Sequence, residues 1–152
     1  MTRPNRALLL AVAALAVAGC RGKLLATAHL TSPGKTEVHF YAGKSVTLWA
    51  DTEGTWLGSK HAHFPAHYEI DVVQNGKPAG HVTCDADKQG GTVICGTQTT
   101  FGNEHTGDCE IELECSLPKL VQGDALLRVT GSVSDPSRVR RIKNMSLNVR
   151  SH

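Results

Sequence analysis

The chain is expected to fold as a single antiparallel, all-β sandwich of about eight or nine strands, with Ig-like or jelly-roll topology. Three observations predict this. From Glu37 onward, short runs rich in Val, Thr and aromatics alternate with Gly, Pro, Asn and Asp turns. Several runs alternate apolar and polar residues with the period of two that a half-buried strand requires. No stretch sustains the 3.6-residue period of an amphipathic helix.

A first strand is expected within Leu24 to Leu30. Glu37 to Tyr41 and Lys44 to Ala50 read as a hairpin joined at Ala42-Gly43. In the second of these, Val46, Leu48 and Ala50 share one face, and Ser45, Thr47 and Trp49 the other. Tyr68, Ile70 and Val72 alternate with Glu69 and Asp71, and Asn75-Gly76 follows as a strong hairpin-turn signal. Further strands are expected at Ala79 to Asp85, Thr92 to Thr100, Cys109 to Cys115, Ala125 to Val133 and Val139 to Val149. In the last, Met145, Leu147 and Val149 share a face.

The first twenty residues have a different character. Arg3 and Arg6 precede an uncharged apolar run, Ala7 to Gly19. That run is too short to cross a bilayer, which takes about 20 apolar residues. Small residues then lead to a cysteine, as at a secretory cleavage site. Val17-Ala18-Gly19-Cys20 resembles the lipobox of bacterial lipoproteins. The resemblance implies a signal peptide over residues 1–19, cleavage before Cys20, and acylation of Cys20. Taken with the strand pattern, this divides the chain into the signal, a lipidated cysteine and tether containing the first strand over 20–34, and the sandwich domain over 35–152. In enterobacterial lipoproteins an aspartate after the cysteine commonly signals inner-membrane retention. Arg21 stands there instead, which by resemblance implies the outer membrane of a two-membrane bacterium. The anchor's partner is then the membrane itself.

The residues beyond Cys20 number 132 (152 minus 20), enough for one domain with a real core. The net charge is +2, but Arg3 and Arg6 fall in the signal, so the 14 remaining bases balance 14 acids. That balance speaks against nucleic-acid binding. The charges are nonetheless segregated. Cys84 to Pro118 holds Asp85, Asp87, Glu104, Asp108, Glu110, Glu112 and Glu114 against Lys88 alone. The tail holds Lys119, Arg128, Arg138, Arg140, Arg141, Lys143 and Arg150 against Asp124 and Asp135. Neighbouring strands of opposite sign would account for this.

Five cysteines are an odd count for an exported chain. A lipidated Cys20 leaves Cys84, Cys95, Cys109 and Cys115 for disulfides. Cys109-Glu110-Ile111-Glu112-Leu113-Glu114-Cys115 alternates cleanly, with both cysteines on the apolar face and the three glutamates toward water. As a straight strand this places the two cysteines about 20 Å apart, whereas a disulfide needs Cα atoms about 4.4–6.8 Å apart. Cys84 and Cys95 must then each take one of Cys109 and Cys115. A hairpin with Phe101 opposite Cys109 would pair Cys95 with Cys115 and Cys84 with Cys109. A four-cysteine zinc site lacks any closely spaced cysteine pair.

Two candidate binding features remain. His61, His63 and His67 cluster within seven residues, ahead of Glu69 and Asp71. Imidazoles with a carboxylate suit zinc or copper, giving a metal-binding lipoprotein as the alternative function. Tyr41, Trp49 and Trp56 concentrate much of a small aromatic complement, 5% of the chain. On an exposed face they would stack on a glycan or anchor an envelope protein; with the second face covered, both tryptophans are core. Gly34-Lys35-Thr36 and Gly43-Lys44-Ser45 lack the earlier glycine of a phosphate-binding loop, since His29 and Val38 stand there, and nucleotide binding is rejected. There is no G-x-S-x-G nucleophile elbow. The expectation is a non-catalytic, lipid-anchored binding or structural module of the bacterial envelope.

Overall fold

The computed structural model describes residues 21–43, 45–88 and 91–151. The lipobox-like stretch, Cys20 and the expected signal helix lie outside them. Nine strands are present: β1 (Lys23–Ala28), β2 (Gly34–Ala42), β3 (Val46–Leu57), β4 (Ala66–Gln74), β5 (Lys77–Asp85), β6 (Val93–Phe101), β7 (Glu104–Glu112), β8 (Gly123–Val133) and β9 (Val139–Ser151). They form a five-stranded sheet, β1-β9-β3-β7-β6, facing a four-stranded sheet, β2-β8-β4-β5. Every pairing is antiparallel.

The winding starts from one turn. Asn75 and Gly76 both adopt left-handed conformations, φ 50° and 74°, the combination a two-residue type I′ hairpin demands. It joins β4 to β5. Moving outward from that turn, β3 pairs with β7, β2 with β8 and β1 with β9. The chain is therefore one long two-stranded ribbon, rolled so that successive strands fall into alternate sheets. This is a jelly roll, with β6 added as an outer strand beside β7.

This winding corrects the expected hairpin at Ala42-Gly43. β2 and β3 belong to different sheets, so the chain passes from one sheet to the other between Ala42 and Val46. A period-two pattern shows which face is apolar, but not which sheet a strand joins.

The core lies between the sheets. Leu48, Ala50, Ile111, Met145, Leu147 and Val149 meet Phe40, Tyr68, Ile70, Val72, Leu127 and Val129, all buried. Tyr68 ties the layers together, since its hydroxyl donates to the Met145 carbonyl at 3.0 Å. Burial pushes the Tyr68 pKa well above its ordinary value. Residues 113–122 then run down the free edge of β5. Cys115 is bonded there to Cys84, Pro118 packs over Gly80, and Val121 exchanges two hydrogen bonds with the Gln74 side chain.

The disulfides are Cys84–Cys115 and Cys95–Cys109. Cys109 and Cys115 are not joined, as the length of the strand requires, but the other expected pairs are exchanged. The cause is the tight turn at Gly102-Asn103 together with a bulge at Gly96. Phe101 sits opposite Glu104, and the one-residue shift between Cys95 and Thr97 then brings Cys95 opposite Cys109. The strand begins five residues earlier than expected, and the presumed long loop is strand. It also ends at Glu112, so Glu114 and Cys115 follow it rather than continue it.

The two bridges close stretches of 31 and 14 residues. On chain entropy alone the longer one contributes about 0.7 kcal/mol more. Cys84→Ala/Cys115→Ala is therefore expected to lower the urea midpoint further than Cys95→Ala/Cys109→Ala, whose hairpin is already zipped by its own ladder. Equal losses would show that the edge covered by residues 113–122 is held by other contacts.

Candidate functional site

The outward face of the five-stranded sheet carries the densest polar arrangement of the molecule. Alternation on β7 sends Asp108, Glu110 and Glu112 outward, and register places them opposite Glu53, Asp51 and Trp49 of β3. On its other side β3 faces β9, with Asn148 opposite Trp49 and Arg150 opposite Thr47. The segregated charges of the sequence thus lie on strands flanking β3, and they meet across it at Glu110.

Glu110 is buried, which corrects the expectation that all three glutamates of this segment face water. Asn148 Nδ2 and Arg150 Nε each donate to its Oε1 at 2.9 Å, and Arg21 Nη1 donates to Oε2 at 2.6 Å. Burial alone would raise its pKa. The hydrogen bonds from Asn148, Arg150 and Arg21, with the Arg150 charge, outweigh burial and hold the pKa below the usual carboxylate range. Arg150 Nη1 also donates to the Gly22 carbonyl at 3.3 Å.

These contacts fix the path of the N-terminal residues. β1 and β7 are separated by two strands in the sheet, or about 14 Å between their axes at about 4.8 Å per step. Arg21 can reach Glu110 only if residues 21–22 turn back over the outer face, and Gly22 adopts φ 71° to make that bend. Trp49 lies on this face between the same strands, as alternation predicts, yet it has no exposure. Its indole N–H donates to Thr47 Oγ1 at 3.3 Å. Trp49 is thus a core residue of a second, outer layer, and its expected role as an exposed binding aromatic is overturned.

Trp56 is overturned in the same way. It is buried at the other end of β3, stacked on His105 (centroids 5.6 Å apart) and edge-on to Phe64. Its indole N–H donates to the Ala62 carbonyl at 3.0 Å. Tyr41 alone of the three is open, at 58% exposure.

His105 is the residue that sequence reading missed. It is fully buried, its Nε2 donates to the carbonyls of Ser59 (2.9 Å) and Gly58 (3.3 Å), and Nδ1 pairs with Thr100 Oγ1 at 3.1 Å. It thereby holds the connection from β3 to β4, where His61 and His63 lie. The signal was present: His105, Gly107, Cys109 and Ile111 continue one alternating face. The pattern was simply begun four residues too late.

His61 and His63 line a cleft of about 280 Å³ whose other walls include Trp56, Phe64 and the Cys95–Cys109 bridge. Partial burial lowers the His63 pKa, and neighbouring His61 lowers it further against the opposing pull of Asp87. His67 is elsewhere, on β4, with Nδ1 2.7 Å from Asp85 Oδ1. Among the described residues, no group of three or more His, Cys, Asp or Glu side chains is arranged to hold a metal ion. The cluster is therefore split between a cleft and a strand. Arg138 secures the cleft from behind, pairing with Asp87 and donating to the Leu57 carbonyl at 2.8 Å.

The edges of the five-stranded sheet are β1 and β6, and β6, Val93-Ile-Cys-Gly-Thr-Gln-Thr-Thr-Phe101, contains neither a charge nor a proline. Residues 96–101 are exposed, and Phe101 at the hairpin tip is 90% exposed.

Glu110 and Asp51, side by side on the outer face, should respond oppositely to pH. The Glu110 pKa is lowered in the fold, so its contribution is full above the unfolded value of about 4.3 and fades as pH falls through the folded one. Glu110→Gln is expected to cost about 2–4 kcal/mol at neutral pH, because two guanidinium groups lose their counter-charge. The difference from wild type should shrink in acid. Burial, with the charges of Glu110, Asp108 and Glu53, raises the Asp51 pKa against a bond from Asn144. Its ionised form is therefore a cost at neutral pH, and Asp51→Asn should raise the melting temperature there but not below about pH 4. Thermal melts of both variants between acid and neutral pH check the two signs together.

Compared with known proteins, the chain matches no family model, no curated protein and no solved structure.

Proposed function

We propose that this protein is a lipid-anchored component of a bacterial cell envelope, held through Cys20 in the outer membrane, and that it works by binding rather than catalysis. The lipobox-like stretch ending at Cys20 supports the anchor. The two disulfides support an oxidising compartment. Arg21 in place of aspartate supports the outer membrane.

The observation that carries the binding role is strand β6. Natural sheet edges are usually blunted by charge, proline or cover, because unpaired N–H and C=O groups recruit other strands. The edge of β5 shows such protection, with Pro78 in the strand and residues 113–122 laid along it. Among the described residues β6 has no charge, proline or covering segment; its bulge at Gly96 and the bond from the Thr97 N–H to Asp108 lie at its start, and beyond them exposed Gln98 and Thr99 lead to the apolar tip at Phe101. An envelope protein offering an extended segment would add a strand here. Main-chain hydrogen bonds would supply affinity, with Phe101 as an apolar anchor.

The test places a photo-crosslinking amino acid at Gln98 of the full-length protein in intact envelopes. A discrete crosslinked partner is expected. It should be lost on adding Thr99→Lys and Phe101→Lys, two exposed changes that leave the unfolding free energy within about 0.5 kcal/mol of the parent. No adduct in the parent, or the same adducts in both proteins, would remove β6 as the docking edge. Fractionation of Cys20→Ser with soluble proteins, and its loss of incorporated palmitate, check the anchor separately.

A further inference from the structure

We infer that the anchor is not a free tether but a short, oriented mount, and that the sandwich stands end-on on the bilayer with Leu24, Tyr41 and Val121 in the interface. This rests on the proposed acylation of Cys20 and adds to it the geometry of attachment. The acylated residue is one peptide bond, about 3.8 Å between Cα atoms, from Arg21. Arg21 is itself fastened to Glu110, and Gly22 to Arg150. No slack chain remains between lipid and domain.

Register shows which part of the domain lies beside that point. Lys23 of β1 is opposite Ser151 of β9, which is opposite Val46 of β3. In the second sheet, Ala42 is opposite Gly123, and Ala125 is opposite Gln74 at the Asn75-Gly76 turn. The short passage from Ala42 to Val46 joins these two sets, so they form one end of the sandwich. Among the described residues, the exposed large apolar side chains are Leu24 (46%), Tyr41 (58%), Val121 (60%) and Phe101 (90%). The first three all sit at this end. Tyr41 pairs across from Asp124, Val121 is held by Gln74, and Leu24 pairs with Arg150. Phe101 sits at the opposite end, where Leu57 meets Glu104.

Apolar and phenolic side chains beside an acyl chain are what a lipid headgroup region accepts, and exposed Lys23 adds a charge suited to anionic lipid. The alternative, lying flat on the five-stranded sheet, would press a densely charged face onto that surface, with Asp51, Glu53, Asp108 and Glu112 beside Lys143, Arg150 and Arg21, and would leave Tyr41 and Val121 out of the interface. Placement of the apolar side chains decides for the end. The twelve residues of β3 then hold Phe101 about 35–40 Å above the bilayer.

The test uses the full, lipidated protein in nanodiscs of phosphatidylethanolamine and phosphatidylglycerol doped with a gadolinium-chelating lipid. Amide NMR signals near Leu24, Tyr41 and Val121 should broaden beyond detection, while those of Gly102-Asn103 stay sharp. Glu110→Ala, which frees Arg21, should flatten that gradient. Should that variant fail to fold, Leu24→Ser/Tyr41→Ser/Val121→Ser, altering only exposed positions, should flatten it equally. Even broadening in the parent protein, or broadening centred on Glu53 and Asp108, overturns the orientation while leaving the anchor standing. A mass spectrum showing unacylated Cys20 overturns the anchor and the orientation together.

Discussion

Glu110 accepts hydrogen bonds from three donors in two parts of the chain that are remote from it in sequence: Arg21 before the first strand, and Asn148 and Arg150 in the last. A half-dry carboxylate is tolerable only with its charge matched and its lone pairs occupied, so the three donors must arrive together. Their arrival fixes the N-terminal residues over the sheet and locks β9 against β7 across β3, on the face where Trp49 is buried. The same constraint turns a sequence with a charged outer surface into one with a sealed second layer. Neighbouring Asp51 shows the cost of that enclosure, since it shares the partly buried face and receives less compensation.

The winding of the ribbon explains why the two ends of the domain differ. The crossing from β2 to β3, the Asn75-Gly76 turn and the N-terminal strap fall at one end, all of them short. At the other end the connection from β3 to β4 is longer and needs internal support. His105 and Arg138 supply it, one from beneath and one from behind, by occupying the carbonyls of Leu57, Gly58 and Ser59. The β6–β7 hairpin projects from this second end, with its chemistry presented on a well-braced platform.

Strand identity was legible in the sequence because local alternation reports burial, as in Tyr68, Ile70 and Val72 or in Met145, Leu147 and Val149. The Asn75-Gly76 turn was legible because its conformation is written in those two residue types. Sheet membership was not. Whether Ala42-Gly43 makes a hairpin or a corner depends on partners, β7 and β8, about seventy to eighty residues away. The cysteine pairing failed for a smaller reason, a turn of two residues taken for a loop, which shifted the register by enough to exchange partners. Trp49 was placed on the correct face, and whether that face was open or covered stayed undecided. Alternation within β3 carries no record of a segment folded over from elsewhere, such as Arg21 and Gly22 held by Glu110 and Arg150.

Because Lys23 lies opposite Ser151, the beginning and end of the rolled ribbon are neighbours within one sheet. Chain ends this close favour circular permutation. A short linker from Ser151 to Arg21 would keep the clamp on Glu110, and reopening the chain at Gly102-Asn103 would cut an exposed turn rather than a paired strand. Such a molecule would carry its termini at the far pole, so that a lipid attached there would hang the same domain upside down.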